Sequence, residues 1–245
     1  MNSQIQVIIH DVDGTLCDES GSLAAQAEAV SSVFGNDFQQ TIDLFFSVHD
    51  DVAKTPSLEQ HRGDIVWYLQ EMARRKNIDM SEQESGELAT AWKQAYLSYQ
   101  ATPILFTDVG PYIEAMHKYD VRNIVCSGGT KETRESLLTQ LGIRDHFEAI
   151  YSSVDIGFQK QNKQFWKEVL LEIGAQPGHV AVVGNQINDD VWQPKELGMT
   201  TFLIDRQDTI KKNVGPTDIE PTFTIRSMIE IPDLLSNCLT KNKSL

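Results

Sequence analysis

An apolar run over residues 5–9 ends at His10 and then at two carboxylates, Asp11 and Asp13, with Gly14 directly behind them. Val7, Ile8 and Ile9 are the residues of a strand buried on both faces, and Gly14 supplies a sharp exit. Two acids at the carboxyl end of such a strand are an expensive placement. Desolvated like charges raise each other's pKa unless a cation or hydrogen bonds offset them. An acidic turn after a strand is the plain alternative, but later segments of the chain supply the partners that a charged site would need.

After Thr15 the sequence loosens over 16–22, and helical spacing then begins. Leu23, Ala27, Val30 and Phe34 share one face, with Gly35 as a stop; Phe38, Ile42, Phe45 and Phe46 repeat the pattern. So do Ile65, Leu69 and Met72, and then Leu88, Trp92, Ala95 and Tyr99, with polar links over 49–57 and 74–85. This predicts an inserted all-helical domain over 18–103, a bundle of about four helices. Trp67 and Tyr68 are most simply its core.

From 104 onward the pattern is different. Apolar strands are expected over 121–126, 147–151, 179–183, 200–204 and 222–225. Helices are expected from Gly110-Pro111, from the cap Thr130 to Gly142, over 162–173 and over 231–239, with a frayed tail at 240–245. Alternation at βαβ spacing gives an α/β fold class: a Rossmann-like parallel sheet, residues 1–17 and 104–245, with helices on both faces. Ligands bind such sheets at the carboxyl ends of the strands. That rule gathers Asp11 and Asp13, then Ser127 and Gly128, then Lys160, then the loop from Asn185 to Asp190. The length of 245 residues suits one α/β core plus a smaller insert.

Composition excludes some partners. The net charge of −14 argues against nonspecific binding to nucleic acid or an anionic membrane. It also means that an anionic substrate must be met by a local positive cluster or a metal. No apolar run approaches a membrane span. Cys17, Cys126 and Cys238 are widely spaced and unpaired in pattern, as expected in a reducing compartment. Met1-Asn2-Ser3 leads straight into the first strand without a signal-peptide pattern. A cytoplasmic protein, monomer or homodimer, is the expectation.

Asp11-Val12-Asp13-Gly14-Thr15 resembles the first motif of the haloacid dehalogenase-like (HAD) hydrolase superfamily. Ser127 after its strand is similar to the second motif and Lys160 before an amphipathic helix to the third. Gly184-Asn185-Gln186-Ile187-Asn188-Asp189-Asp190 is similar to the acidic fourth. Four motifs in order after successive strands are a strong signal, and 18–103 stands where the family carries a helical, C1-type cap. The resemblance implies phosphoryl transfer from a small phosphorylated metabolite with Mg²⁺ as cofactor. Asp11 would be the nucleophile and Asp13 the acid and base. An acid at the position of Asp13 goes with phosphatases and phosphotransferases, whereas dehalogenases lack it.

Ser127 would donate to a phosphoryl oxygen, helped by backbone N–H groups of the glycines at 128 and 129. Gly14 and Thr15 belong to the same phosphate-binding set. Lys160 would pair with the nucleophile and the phosphoryl oxygens; the family's prolines are missing after it, and Lys163 is the competing choice. For Mg²⁺, the Asp11 carboxylate, the Asp13 main-chain carbonyl and an acid of the fourth motif would supply oxygens. The chain departs from the family here, because the usual first acid is Asn185. An amide can ligate but carries no charge, so Asp189 or Asp190 would take over, and Asp190 matches the family's second acid. Pro194 falls where the family continues a helix, and a new turn is expected there.

Lys54, His61, Arg62, Arg74, Arg75 and Lys76 are the basic residues of the insert from which substrate selection could come. Other reactions of the family remain alternatives: phosphonatase, which would need Lys54, Lys76 or Lys93 as a Schiff base, phosphomutase and dehalogenase. A catalytically weak binding or regulatory role, with Asn185 having cost the metal, is the alternative outside enzymes. His10 is expected at the strand end as a hydrogen-bonded histidine.

Overall fold

The computed structural model describes residues 4–18, 20–61, 63–100, 103–206 and 219–236. The chain divides into two compact units, Met1–Asp18 with Pro103–Leu245, and Glu19–Thr102. In chain order, β1 (Val7–His10) and β2 (Cys17–Asp18) come first. The second unit then contributes α1 (Ser20–Phe34), α2 (Phe38–Lys54), α3 (Ile65–Arg75) and α4 (Glu82–Gln100). The chain returns to the first unit with β3 (Ile104–Leu105), α5 (Val109–Met116), β4 (Arg122–Ser127), α6 (Lys131–Gln140), β5 (Ala149–Ser152), α7 (Ser153–Ile156) and α8 (Lys163–Ile173). It ends with β6 (Val180–Gly184), α9 (Trp192–Glu196), β7 (Thr200–Ile204), β8 (Phe223–Ile225) and α10 (Ile231–Leu234).

The six-stranded sheet has the order β5-β4-β1-β6-β7-β8, and every pairing in it is parallel. Alternate residues of the inner strands enter two separate cores, as the period of a strand requires. Ile8, Val125, Ala181 and Val183 face one core, with Tyr112 and Ile113 of α5 and Leu137 and Leu138 of α6. Val7, Ile9, Ile124, Cys126, Val180 and Val182 face the other, with Phe165, Trp166 and Val169 of α8. The strand order runs outward from β1 in one direction to β4 and β5, then in the other to β6, β7 and β8. That reversal beside β1 is where open α/β sheets bind ligands.

In the helical unit, Val30, Phe34, Val48, Val52, Tyr68, Leu69, Met72 and Trp92 form one core. Asp37 and Asp64 cap α2 and α3 by accepting from the Gln40 and Trp67 N–H groups. Arg75 is spent within the unit on Glu71, Asp51 and Ser47, and Arg74 on Glu71. Arg62 lies outside the described residues, as does the side chain of Lys54.

Several elements differ from their sequence reading. The polar link expected over 49–57 is largely helix, because Val48 and Val52 continue the buried stripe of α2. The loose stretch after Thr15 contains β2, which pairs antiparallel with β3, Cys17 opposite Leu105 and Asp18 opposite Ile104. Asp18 and Pro103 accordingly fall in the sheet-bearing unit, one residue inside the insert boundaries read from the sequence. Two-residue strands are too short for periodicity to reveal. Pro194 sits within α9, which begins after a π-helical turn at Ile187–Val191; the restart fits a residue without an N–H to give. Residues 207–218, Cys238, the end of the helix read over 231–239 and the tail at 240–245 lie outside the described residues.

His10, fully buried at the end of β1, contacts Ile124 O through Nδ1 at 3.1 Å and the Tyr112 hydroxyl through Nε2 at 2.8 Å. A carbonyl only accepts, so Nδ1 carries the proton and Nε2 accepts from Tyr112. Burial holds the imidazole down at about 4, against an ordinary 6.5, even though the Ile124 carbonyl favours the charged form. The unfolded chain therefore binds a proton between pH 6.5 and about 4 that the folded chain refuses. Stability is full above pH 6.5 and falls as the pH drops toward about 4, by roughly 3 kcal/mol from this residue. Urea unfolding at pH 7 and pH 4.5 should show that loss, and His10→Phe should flatten the difference.

Candidate active site

The register of β1 sets the site. His10 is level with Val125 on one side and Val183 on the other. Ser127 and Asn185 therefore each lie two residues beyond, flanking the turn that holds Asp11 and Asp13. Asp11 continues the ladder by one bond, its N–H donating to Val183 O at 2.9 Å. Its side chain then turns inward, and the residue is 8% exposed.

Lys160 comes from the loop between α7 and α8. Its Nζ donates to Asp11 Oδ1 at 2.6 Å and to Asp190 Oδ1 at 2.7 Å. The lysine is anchored through its backbone, because the Trp166 indole N–H donates to Lys160 O at 2.7 Å. Asn162 caps α8 immediately after it. Burial alone would push the lysine toward neutrality; Asp11 and Asp190, with Asp189 behind them, outweigh this and hold it charged, above its usual range. Lys163 instead extends toward Glu196 at 3.8 Å and is half-exposed, so Lys160 is the lysine that meets Asp11.

Asp190 is buried under Gly184. A Cβ at Gly184 would collide with the Asp190 side chain, so only glycine fits there. The second oxygen of Asp190 accepts from the Gln186 N–H at 3.0 Å. Burial raises its carboxyl to about 7; Lys160 opposes the rise and the neighbouring Asp11 and Asp189 add to it. Asp189 accepts from the Gln161 amide. Asn185 is half-buried at the end of β6, in the position where the resemblance expects an acid. Two carboxylates thus share one ammonium, and the cluster carries excess negative charge. Among the described residues, no group of three or more His, Cys, Asp and Glu side chains stands ready to hold a metal.

Ser127 is the last residue of β4 and is 1% exposed, yet its hydroxyl finds no hydrogen-bond partner among the described residues. A buried hydroxyl without a partner is costly unless it serves a ligand. Thr130 caps α6 by accepting from the Thr133 N–H. Thr15, fully buried, donates to Asp11 Oδ2 at 3.1 Å. Gly14 has φ 74°, which makes the exit from the strand possible, and its N–H bonds Cys17 O at 2.8 Å. Gly128 has open space where a side chain would stand.

Asp13 is held by a residue that the sequence reading did not single out. Arg134 of α6 reaches its two oxygens, Nη1 to Oδ1 at 3.0 Å and Nη2 to Oδ2 at 2.7 Å. One arginine among the polar residues of a helix carries no sequence signal; only its burial marks it. A second tie went unread in the same way. Arg206 bonds Thr15 O at 2.8 Å and Asp108 Oδ2 at 2.8 Å, which fastens the site turn from behind.

With this geometry in place, comparison with known proteins is informative. The family model for haloacid dehalogenase-like hydrolases matches residues 5–198. A glyceraldehyde 3-phosphate phosphatase of Methanocaldococcus jannaschii is 24% identical over 95% of this chain and 98% of its own. A phosphatase of the same name from Methanothermobacter thermautotrophicus is 29% identical, over 37% of this chain and 42% of that protein. A ribulose-1,5-bisphosphate 5-phosphatase of Halopiger xanaduensis is 18% identical over 94% of this chain and 98% of its own. Among solved structures, the magnesium-bound HAD-hydrolase YfnB of Bacillus subtilis superposes with a TM-score of 0.75 at 17% identity, covering 95% of this chain and 99% of that one. The L-2-haloacid dehalogenase of Xanthobacter autotrophicus superposes with a TM-score of 0.69 at 16% identity, covering 95% and 98%.

Removing one partner from a buried ion cluster leaves an uncompensated charge in low dielectric. Lys160→Met should lower the unfolding free energy by about 3 kcal/mol or more, measured by chemical denaturation. Adding Asp190→Asn to that variant should recover part of the loss, because it removes one of the stranded charges.

Proposed function

The chain belongs to the haloacid dehalogenase-like hydrolase family, and from that premise we propose that it is a magnesium-dependent phosphatase of a small phosphorylated metabolite. One observation carries the reading: Asp11, at the end of the central strand, faces a buried ammonium at 2.6 Å, with Asp13 two residues on and the unpartnered Ser127 hydroxyl on the neighbouring strand. These are the parts that phosphoryl transfer needs: a nucleophile, charge for the phosphoryl oxygens and a proton source for the leaving group. Relatives named as phosphatases of glyceraldehyde 3-phosphate and ribulose-1,5-bisphosphate support a sugar phosphate as the substrate class.

In this reading an Asp11 carboxylate oxygen attacks phosphorus as the bond to the substrate oxygen breaks. Asp13 gives that oxygen its proton, and the alcohol leaves. Asp13 then takes a proton from water, which attacks the aspartyl-phosphate; inorganic phosphate departs and Asp11 is restored. Lys160 and the Ser127 hydroxyl hold the phosphoryl oxygens, with the backbone at Gly128 and the Gly14-Thr15 turn lining the same point. Lys160 on Oδ1 and Thr15 on Oδ2 hold the nucleophile from two sides.

The donor set suits magnesium. Asp11, the Asp13 carbonyl and Asn185 offer oxygens, the class that a hard cation takes, and two carboxylates on one lysine leave negative charge to neutralise before a phosphate dianion can approach. When bound, the ion would neutralise phosphoryl oxygens and align them for in-line attack. Asn185 supplies no charge, so the ion is held less firmly than by an acid at that position. Asp190, occupied by Lys160 and the Gln186 N–H, acts as a supporting group behind the ligands, which leaves Asp189 as the candidate for a further acid. The helical unit serves as the cap that selects substrate. No described helix is long and apolar enough to cross a membrane, and a cytoplasmic location fits buried Cys17 and Cys126, neither of which is in a disulfide.

Asn185 alone favours a second reading, a catalytically weak binding protein. Hydrolysis of 4-nitrophenyl phosphate with and without Mg²⁺ separates the two. Metal-dependent turnover is expected, lost by about a thousandfold or more in Asp11→Asn. Asn185→Asp should lower the magnesium concentration for half-activity by about tenfold, roughly 1.4 kcal/mol. A folded protein inert at millimolar Mg²⁺ supports the binding reading, and steady activity in Asp11→Asn overturns the assignment.

A further inference from the structure

Arg134 is the buried charge that the hydrolysis just described leaves without a task. It lies in the first turn of α6, its N–H making a bond to Thr130 O at 3.0 Å. A cation there faces the positive end of the helix dipole, a placement that the helix itself disfavours. Its side chain is nonetheless only 6% exposed, against 33% for the Asp13 it grips. Gly129 makes room for it. A Cβ built at Gly129 would stand 2.6 Å from Arg134 Nε and 2.9 Å from Nη2. Gly129 is not among the glycines with positive φ, so no backbone conformation demands glycine at that position. The space it leaves is filled by the guanidinium.

Three local choices thus converge on one contact: a cation at the wrong end of a helix, its burial, and a glycine whose use is to admit it. When local rules are broken together at one place, function is the usual compensation. The contact is a two-pronged fork onto both oxygens of Asp13, and such a pair fixes the plane of a carboxylate where a lysine would supply only a point charge. The Cys17 thiol, 3.8 Å from Oδ1, is a weak second partner. The strand that ends at Ser127 therefore leads, through Gly129, into the helix that carries the clamp on Asp13.

We propose that Arg134 is a positioning residue for Asp13: one prong of the fork keeps the carboxyl in place while the other oxygen, protonated from solvent and turned away from the second prong, gives its proton to the leaving oxygen. The inference rests on the phosphatase reading, in which Asp13 has that role. A clamp on a proton donor matters in proportion to how much the leaving group needs the proton. A residue needed only for folding lowers turnover of every substrate alike.

The test compares 4-nitrophenyl phosphate, whose leaving group departs readily without a proton, with phenyl phosphate, whose leaving group needs one. Wild type, Arg134→Ala, Arg134→Lys and Gly129→Ala are measured at saturating Mg²⁺ for kcat and KM, alongside thermal unfolding. In Arg134→Ala, kcat/KM, which reports the step that expels the alcohol, should fall on phenyl phosphate about tenfold or more beyond its fall on 4-nitrophenyl phosphate, within the 10²–10⁴ range that general acids contribute. Gly129→Ala keeps the arginine and its charge but displaces the guanidinium; it should show the same leaving-group dependence with little change in Tm. It also serves if Arg134→Ala does not fold. Arg134→Lys should restore only part of the difference, and Arg134→Ala should add nothing in an Asp13→Asn background. Equal losses of kcat/KM on both substrates, or full restoration by lysine, overturn this inference alone. A wild type inert on both overturns the phosphatase reading and this inference with it.

Discussion

The buried ammonium of Lys160 between Asp11 and Asp190 is the contact on which the site depends. Removing two carboxylates from water at the end of an apolar strand is unfavourable by several kcal/mol per ion unless charge returns to them. Lys160 returns one unit to two acids. The surroundings are shaped to keep it there: Trp166 holds its carbonyl, Asn162 starts the helix behind it, and Gly184 leaves room for Asp190. The balance is incomplete, which is why Asp190 is pushed upward by its burial and its acidic neighbours. A cluster left short of positive charge is the electrostatic basis of the magnesium proposed above.

The sheet makes this possible at modest cost. β1 lies between β4 and β6 in register, so the residues that follow all three strands arrive at one level. Their side chains alternate between two apolar cores, one under α5 and α6 and one under α8. Those two cores fix the strands on which Asp11 and Ser127 stand. His10 shows how strict the interior is, since a histidine at that depth stays neutral and spends both ring nitrogens on Ile124 and Tyr112.

Asp13 stands apart from this cluster, with a cation of its own. Asp11 and Asp190 compete for one lysine, while Asp13 has both oxygens on Arg134. Two acids one residue apart thereby receive different electrostatic environments. That separation is what the proposed division of labour between the two acids requires. Asn185 is the departure from the family pattern with the largest consequence, because it removes charge where the metal would bind.

Periodicity and punctuation were enough to read the α/β core, the helical stretch and the strand ends that gather Asp11, Asp13, Ser127, Lys160 and the 185–190 loop, because burial alternation and glycine stops are local properties of a chain. The β2–β3 ribbon was illegible, since two residues show no period, and the reach of α2 to Lys54 was hidden by polar residues on its outer face. Lys160 and Lys163 are three positions apart and alike in composition; only the fold shows which one meets Asp11. Arg134 is 121 residues from Asp13 along the chain, and its importance lies wholly in burial and in the space left by Gly129. Residue types and their order determine which chemistry is available. Which charges meet in a low dielectric, and at what distance, is decided by tertiary packing, because desolvation and ion pairing depend on neighbours that no local stretch of sequence contains.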